Sequence, residues 1–228
     1  MKKILPKQIP ILWKTIHYKQ YPRLDHVKLP KQFNDKPSTK DLLKILSARK
    51  SERSASEVTL SLEILGRILY HSAGLIYRSE DSKNLERRPY PSGGARYPIE
   101  IYPIIFQIPS ITAGVYHYDI LGHQLVRLVD GNYSIKIASW CSKQDWIAKM
   151  KYMLVLTAIF PRSTIKYKDR GYRFAFFEAG HIAQNVYLLA TYFNLNCCAI
   201  GGFQDEEINK LLDIDGENES AIYLLALG

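Results

Sequence analysis

The chain has 228 residues, of which 46% are hydrophobic and 23% are charged, and its formal net charge is +9. A chain of this length can bury a full core without disulfides, and its three cysteines, none in a CxxC pair, predict neither a disulfide framework nor a zinc site. The longest apolar run, 152–160, is less than half of the ~20 residues that a membrane helix needs, so we expect a cytoplasmic protein with no membrane contact.

The first forty residues predict an N-terminal arm, because residues 1–41 are rich in proline and lysine. Residues 1–60 hold 14 basic and 5 acidic side chains, whereas the 17 basic and 17 acidic side chains of 61–228 balance. A nucleic-acid-binding protein places its basic groups on a folded face beside base-reading side chains, and no such motif is present, so we expect no nucleic acid. The arm favours an acidic partner, and the alternatives are packing on the chain's own core or wrapping around a second subunit of a homodimer.

The remaining residues, 42–228, predict one domain. A short capped helix follows 38–41, and a second helix runs from about Leu60 to Gly74. A loop containing three prolines and two glycines covers 78–98. Strands are predicted at 99–106, 115–118, 124–129, 152–160, 197–200 and 221–227, and helices at 172–193 and 205–212. The order predicts an α+β fold in which a long, buried helix lies on a central, mostly antiparallel sheet.

The first segment that is not typical of scaffold is 49–53. In an extended chain Arg49, Ser51 and Arg53 point to the same side, because the side chains of a strand alternate. Two guanidinium groups and a hydroxyl suit a phosphate dianion. The alternative interpretation is a solvated charged linker.

The second segment is the proline-glycine loop around Pro91, Ser92, Gly93 and Gly94. Glycines let backbone N–H groups approach a flat ligand, and the flanking prolines reduce the entropy lost on binding. The loop matches neither GxxxxGK[ST] nor GxGxxG. A tight turn that leads into the next strand is the alternative.

The third segment runs from 165 to 203. Glu178, His181 and Asn185 fall on one stripe of the long helix, where hydrogen bonding to protein is favoured over a metal site. Before this helix stand Lys166 and Tyr167, and after it Gly201 and Gly202. Without further information, the Lys-Tyr pair is typical of a basic surface turn.

Taken in order, these segments resemble the FMN-dependent nitroreductase superfamily. The resemblance covers about 42–228 and is carried by RRPYPSGGARYPIE (87–100), VYHYD (115–119), KYKDRGYRFAFFEAGHIAQN (166–185) and IGGF (200–203). Within the superfamily, the sequence is similar to the SagB-type, microcin-synthetase-like azoline dehydrogenases, which act in the biosynthesis of thiazole/oxazole-modified peptides. The resemblance implies a nitroreductase-like fold and a domain-sharing homodimer with a flavin site at the subunit interface.

The resemblance also implies roles for individual residues. Arg49, Ser51 and Arg53 correspond to contacts with the FMN phosphate and ribityl chain. The loop Pro91–Gly94 corresponds to the cover of the flavin ring, and Gly201 and Gly202 to the turn beside its reactive nitrogen. Lys166 and Tyr167 correspond to the catalytic pair of the azoline dehydrogenases, which ordinary nitroreductases lack.

The activity so implied is the oxidation of peptide thiazolines and oxazolines to thiazoles and oxazoles. Expected partners are the azoline-containing precursor peptide, a YcaO-type cyclodehydratase and a leader-binding subunit. Two alternatives stay open: an NAD(P)H-dependent nitro or quinone reductase on the same fold, and a non-catalytic scaffold that binds the peptide within a synthetase complex.

Overall fold

The computed structural model describes residues 18–30, 42–76 and 87–228. Within these ranges seven strands form one antiparallel sheet in the order β1-β4-β3-β2-β5-β7-β6. The elements in chain order are β1 (His26–Lys28), α1 (Leu42–Ala48), α2 (Leu62–Ala73), β2 (Ile99–Ile105), β3 (Gly114–Asp119), β4 (Gln124–Asp130), α3 (Ser134–Trp140), β5 (Tyr152–Ile159), α4 (Pro161–Tyr167), α5 (Arg170–Tyr192), β6 (Cys197–Ile200), α6 (Asp205–Leu212) and β7 (Glu219–Leu227). The architecture confirms the α+β prediction.

The sheet is covered on both faces, and β5 in its interior shows why. Leu154 and Leu156 pack on the side of α2 and α5, whereas Met153 and Val155 pack on the side of α3 and α6. Because successive side chains of a strand point to opposite faces, a continuous apolar run is the sequence of a strand with a core on each side. This confirms the prediction made from 152–160.

Helix α5 lies on the sheet through small and branched side chains, but only one of its faces is covered within the chain. Ala175, Ala179 and Ile182 are buried, while Tyr172, Phe176 and Phe177 are 47%, 53% and 55% exposed. The sequence is apolar around most of this helix and therefore predicts burial on nearly every side. In the single chain the second apolar face remains exposed.

Most predicted elements are present, and β6 and α6 have the predicted bounds. Three described elements were not predicted: β1, α3 and α4. Of the predicted arm, 18–30 packs on the chain's own core, where β1 pairs with β4 and Lys19 forms an ion pair with Glu219 at 2.6 Å. Residues 1–17, the cap predicted at 38–41 and the first part of the predicted loop, 78–86, lie outside the described residues, and the boundary at 41/42 stays a prediction. No helix in the described ranges is long and apolar enough to cross a bilayer.

Candidate active site

The 49–53 segment lies along β6, the edge strand of the sheet. Glu52 N donates to Cys197 O at 3.0 Å, as a neighbouring strand would. Ser51 Oγ lies 2.9 Å from Tyr187 Oη, and the Arg49 guanidinium is 5.4 Å from the centroid of the same ring. Lys50 pairs with Glu52 instead. The odd-numbered side chains therefore face Tyr187 and β6, as the alternation predicted.

Two cations of this segment have no anionic partner. Neither Arg49 nor Arg53 forms an ion pair with a carboxylate among the described residues. Arg53 is hydrogen-bonded to the Cys198 thiol; burial raises the pKa of this thiol, and Arg53 opposes that increase. Just beyond β6, Gly201 and Gly202 are exposed and have no atom within 4 Å of where a Cβ would lie. Unpaired guanidinium groups next to open backbone suit a phosphate-bearing ligand.

The proline-glycine loop forms a tight turn on α5. Ser92 Oγ donates to Glu178 Oε1 at 2.8 Å, and Gly93 N donates to the same oxygen at 3.1 Å. Ser92 Oγ also accepts from Tyr97 N at 2.9 Å. Gly94 has a φ of +65°, which favours glycine because a Cβ is strained there. The Ser92 hydroxyl and the Gly93 N–H therefore hold the loop on α5.

The predicted catalytic pair meets this turn. Lys166 and Tyr167 stand at the C-terminal end of α4, and both side chains reach Gly94. A Cβ built on Gly94 would lie 2.7 Å from Lys166 Nζ and closer still to Tyr167 Oη. Because both atoms are within 2.7 Å of one point, they lie less than twice that distance apart. The Tyr167 ring is further held by an edge contact with Phe174 at 4.8 Å.

A buried ion cluster that the sequence analysis missed anchors α4 to the sheet. Arg162 Nη1 donates to Glu100 Oε1 at 2.5 Å, and His117 Nε2 donates to Glu100 Oε2 at 2.7 Å. Burial alone would raise the pKa of Glu100, but these two neighbours lower it to about 2. Arg96 Nε donates to the Arg162 carbonyl at 2.8 Å. The only signal in the sequence was a glutamate within the apolar strand β2.

The polar stripe of α5 has divided roles. Asn185 Nδ2 donates to Ser72 O of α2 at 3.3 Å, which is the interhelical bonding that was predicted. Glu178 is 2% exposed, and burial raises its pKa to about 7 although Ser92, Gly93 and Arg88 lower it. Its Oε2 has no hydrogen-bond partner among the described residues. His181 is exposed. Across the described ranges, no three His, Cys, Asp or Glu side chains are grouped to hold a metal ion.

The chain thus carries two groups of predicted site residues at different places on α5. The turn and the Lys-Tyr pair meet this helix at Glu178, whereas 49–53 meets it at Tyr187. Nine residues of α-helix separate the two positions, about 14 Å along the axis. Each group is brought together, but among the described residues no hydrogen bond or ion pair joins one group to the other.

The chain belongs to the nitroreductase family, whose model matches residues 34–228. Proteins of this superfamily generally bind flavin. Within it, the chain is of the type represented by the peptide-processing protein McbC.

Individual relatives support this placement. The chain is 35% identical over 184 residues to MJ1384 of Methanocaldococcus jannaschii, covering 81% of this chain and 88% of that protein. It is 31% identical to the trifolitoxin-processing protein TfxB of Rhizobium leguminosarum and 34% identical to the microcin B17-processing protein McbC of Escherichia coli, over 72% and 57% of this chain. It spans about half the length of these two relatives, 46% and 49%.

A solved structure is also similar to this chain. The Escherichia coli microcin synthetase McbBCD complex with truncated pro-MccB17 bound contains a chain that superposes with a TM-score of 0.65 at 26% identity. The match covers 89% of this chain and 77% of that one.

Proposed function

We propose that this protein is an FMN-dependent dehydrogenase that oxidises thiazolines and oxazolines of a peptide to thiazoles and oxazoles. The observation that carries the proposal is the convergence of Lys166 and Tyr167 on Gly94, which joins the two sequence segments that the resemblance assigns to catalysis and to the flavin cover. Similarity to McbC and TfxB supports peptide substrates of this kind.

The residues fit the cofactor. Arg49 and Arg53 would hold the phosphate, because both are cations without a carboxylate partner in the described part of the chain. Ser51 would bind the ribityl chain. Gly201 and Gly202 leave room for a flat ring against the backbone, and the turn Pro91–Gly94 would cover it. When bound, FMN supplies the two-electron acceptor that converts an azoline to an azole.

The pair at the end of α4 would manage the proton. Azoline oxidation removes a proton from the α-carbon as well as a hydride, so a base is required. Lysine and tyrosine ordinarily have pKa values near 10; burial lowers that of a lysine, and a nearby cation lowers that of a tyrosine. Lys166 Nζ lies 5.2 Å from the centroid of the Tyr167 ring, so the two groups are neighbours. Either Lys166 Nζ or Tyr167 Oη would take the proton.

The partners follow from the same similarities. The microcin structure holds the related chain together with other synthetase subunits and a bound propeptide. We therefore propose an azoline-containing precursor peptide, a YcaO-type cyclodehydratase and a leader-binding subunit as partners. A second copy of the chain is proposed for the exposed face of α5, because Phe176 and Phe177 leave large apolar surfaces in water.

The experiment replaces the two side chains one at a time. Lys166→Ala and Tyr167→Phe should keep FMN and the fold, and should lower azole formation about 10²- to 10⁴-fold, the usual contribution of a general base. Lys210→Ala and Tyr133→Phe are matched controls far from the turn. Mass spectrometry counts the 2 Da lost per ring, and visible absorbance reports bound FMN. Undiminished turnover in both variants would remove the pair from the mechanism.

A general NAD(P)H-dependent reductase is the second candidate. MJ1384, which is described as a nitroreductase, matches this chain over more of its own length than either peptide-processing relative does. Anaerobic mixing of the FMN-loaded protein with NADPH distinguishes the two. Rapid bleaching of the flavin supports the reductase. Bleaching by an azoline peptide and not by NADPH supports the dehydrogenase. A preparation that binds no added FMN would favour a non-catalytic scaffold.

A further inference from the structure

Glu178 is a buried carboxylate that the proposed chemistry does not use. It stands on α5 opposite the turn, and Oε1 accepts from both Ser92 Oγ and Gly93 N. Its other oxygen, Oε2, is buried without a partner, and no cation forms an ion pair with this carboxylate among the described residues. An unpaired buried carboxylate oxygen is costly, so this position has a role other than stability.

The contacts of Glu178 continue directly to the Lys-Tyr pair. Glu178 holds Ser92 and Gly93, and the next residue is Gly94. Gly94 has no space for even a methyl group, because Lys166 Nζ and Tyr167 Oη already fill it. A shift of the turn must therefore move these two side-chain ends, or open a gap beside them.

We propose that Glu178 is a positioning residue for Lys166 and Tyr167. Its carboxylate fixes the turn Ser92–Gly94, and the turn fixes where Lys166 Nζ and Tyr167 Oη stand. The inference rests on the proposed function only for the chemistry that the pair performs; the mechanical connection is independent of it.

The charge on Glu178 sets how firmly the turn is held. Arg88 and Tyr90 face Glu178 from the segment before the turn, and Glu100 of β2 lies behind Arg88. Lys166 and Tyr167 of α4 lie beyond Gly94, and His181 follows one turn along α5. Helix α2 meets α5 further along, at Asn185. Hydrogen bonds to an ionised carboxylate are about twice as strong as neutral ones. Since burial raises the pKa of Glu178 to about 7, the turn is held more firmly above neutrality than below it.

The direct test follows Tyr167 by NMR in the full FMN-loaded chain labelled with ¹³Cζ-tyrosine, where Tyr167→Phe assigns the signal. In the wild type this signal should shift with a midpoint near pH 7, and in Glu178→Gln, which keeps an acceptor oxygen but cannot ionise, that step should vanish. In Ser92→Ala, which keeps the charge but removes one bond to it, the step should shrink. An unchanged step in Glu178→Gln overturns the proposal. A full step in Ser92→Ala also overturns it, because the signal would then sense charge through space and not the turn.

The kinetic test uses the azoline peptide at saturating FMN. Glu178→Ala should lower kcat about 10- to 100-fold with KM changed less than about twofold, since an ångström-scale displacement of a catalytic group costs about that much. Glu178→Gln should recover most of kcat and lose the limb of the pH profile near 7. Glu217→Gln, an exposed carboxylate, is the control. A loss confined to KM contradicts positioning. If the wild type oxidises no azoline, the proposed function fails while the NMR result still decides the role of Glu178.

Discussion

The pH dependence of stability offers a sharp test of the electrostatics around Glu178. Burial raises its pKa from 4.5 to about 7, so the folded chain holds this proton more tightly than the unfolded chain does. Stability is then greatest at low pH and is lost as the pH rises through 7. Each tenfold change in proton affinity corresponds to about 1.4 kcal/mol, so the wild type should lose at most about 2.5 kcal/mol from this group between pH 5 and pH 8.

Urea unfolding of the wild type and Glu178→Gln at four pH values between 5 and 8 measures this quantity. Protein and FMN concentrations are held fixed, because a ligand or a partner subunit stabilises by mass action. The free energy of unfolding of Glu178→Gln is offset from that of the wild type, since the amide nitrogen takes the unpaired position of Oε2. The slope of the free energy with pH, and not its absolute value, therefore carries the test.

The control variant Glu217→Gln should keep the wild-type slope. A wild-type slope in Glu178→Gln would refute the assigned pKa. Glu100 does not interfere, because its lowered pKa acts in the opposite direction and only below about pH 4.5.

Two backbone positions near the turn give further predictions. Gly94→Ala should lower the free energy of unfolding, measured in urea, by roughly 2 kcal/mol or more. The left-handed φ of +65° costs a residue with a Cβ about 1–2 kcal/mol, and the new methyl group must also displace Tyr167. An unchanged urea midpoint would contradict this. Lys168 has φ 52° and ψ −138°, a strained conformation for a residue with a Cβ. Lys168→Gly should therefore raise the free energy of unfolding by about 1 kcal/mol, which is the relieved strain net of glycine's entropy cost, and with it the melting temperature. A lower melting temperature would contradict the reasoning.

The sequence predicted the long elements well because their signals are local. The apolar period of α5 and the branched residues of β5 are readable over many positions. Helix α4 was missed because it has seven residues and is preceded by Phe160, which offers no side-chain cap. Helix α3 was missed for the same reason, since Tyr133 caps it without a side-chain bond.

The candidate site divides in the same way. The alternation in 49–53 was readable because it depends on neighbours in sequence. The ion cluster was not, because Glu100 and Arg162 stand 62 residues apart and only the pairing of β2 with β5 brings α4 over the sheet. The role of Glu178 was half readable: the stripe predicted hydrogen bonding, but the partners come from a loop 86 residues away.

The separation of the two groups of site residues implies how a complete site is assembled. If two copies pack through the exposed face of α5, with a two-fold axis that crosses the helix midway between Glu178 and Tyr187, the two helices are antiparallel. The Glu178 region of one chain then faces the Tyr187 region of the other. The phosphate-binding residues of one chain would thus join the turn and Lys-Tyr pair of its partner.

Complementation tests this assembly. Arg49→Ala removes a proposed phosphate contact, Lys166→Ala removes a member of the Lys-Tyr pair, and each variant alone should be nearly inactive. Heterodimers of the two contain one site with both defects and one with neither, if each site draws one group from each chain. Random mixing makes half of the dimers heterodimers, so an equimolar mixture unfolded and refolded together should recover about a quarter of wild-type azole formation, with dimers confirmed by light scattering. Recovery is impossible if both groups serve a site within one chain, because every such site then carries one defect. A mixture no more active than its components would therefore exclude the shared site.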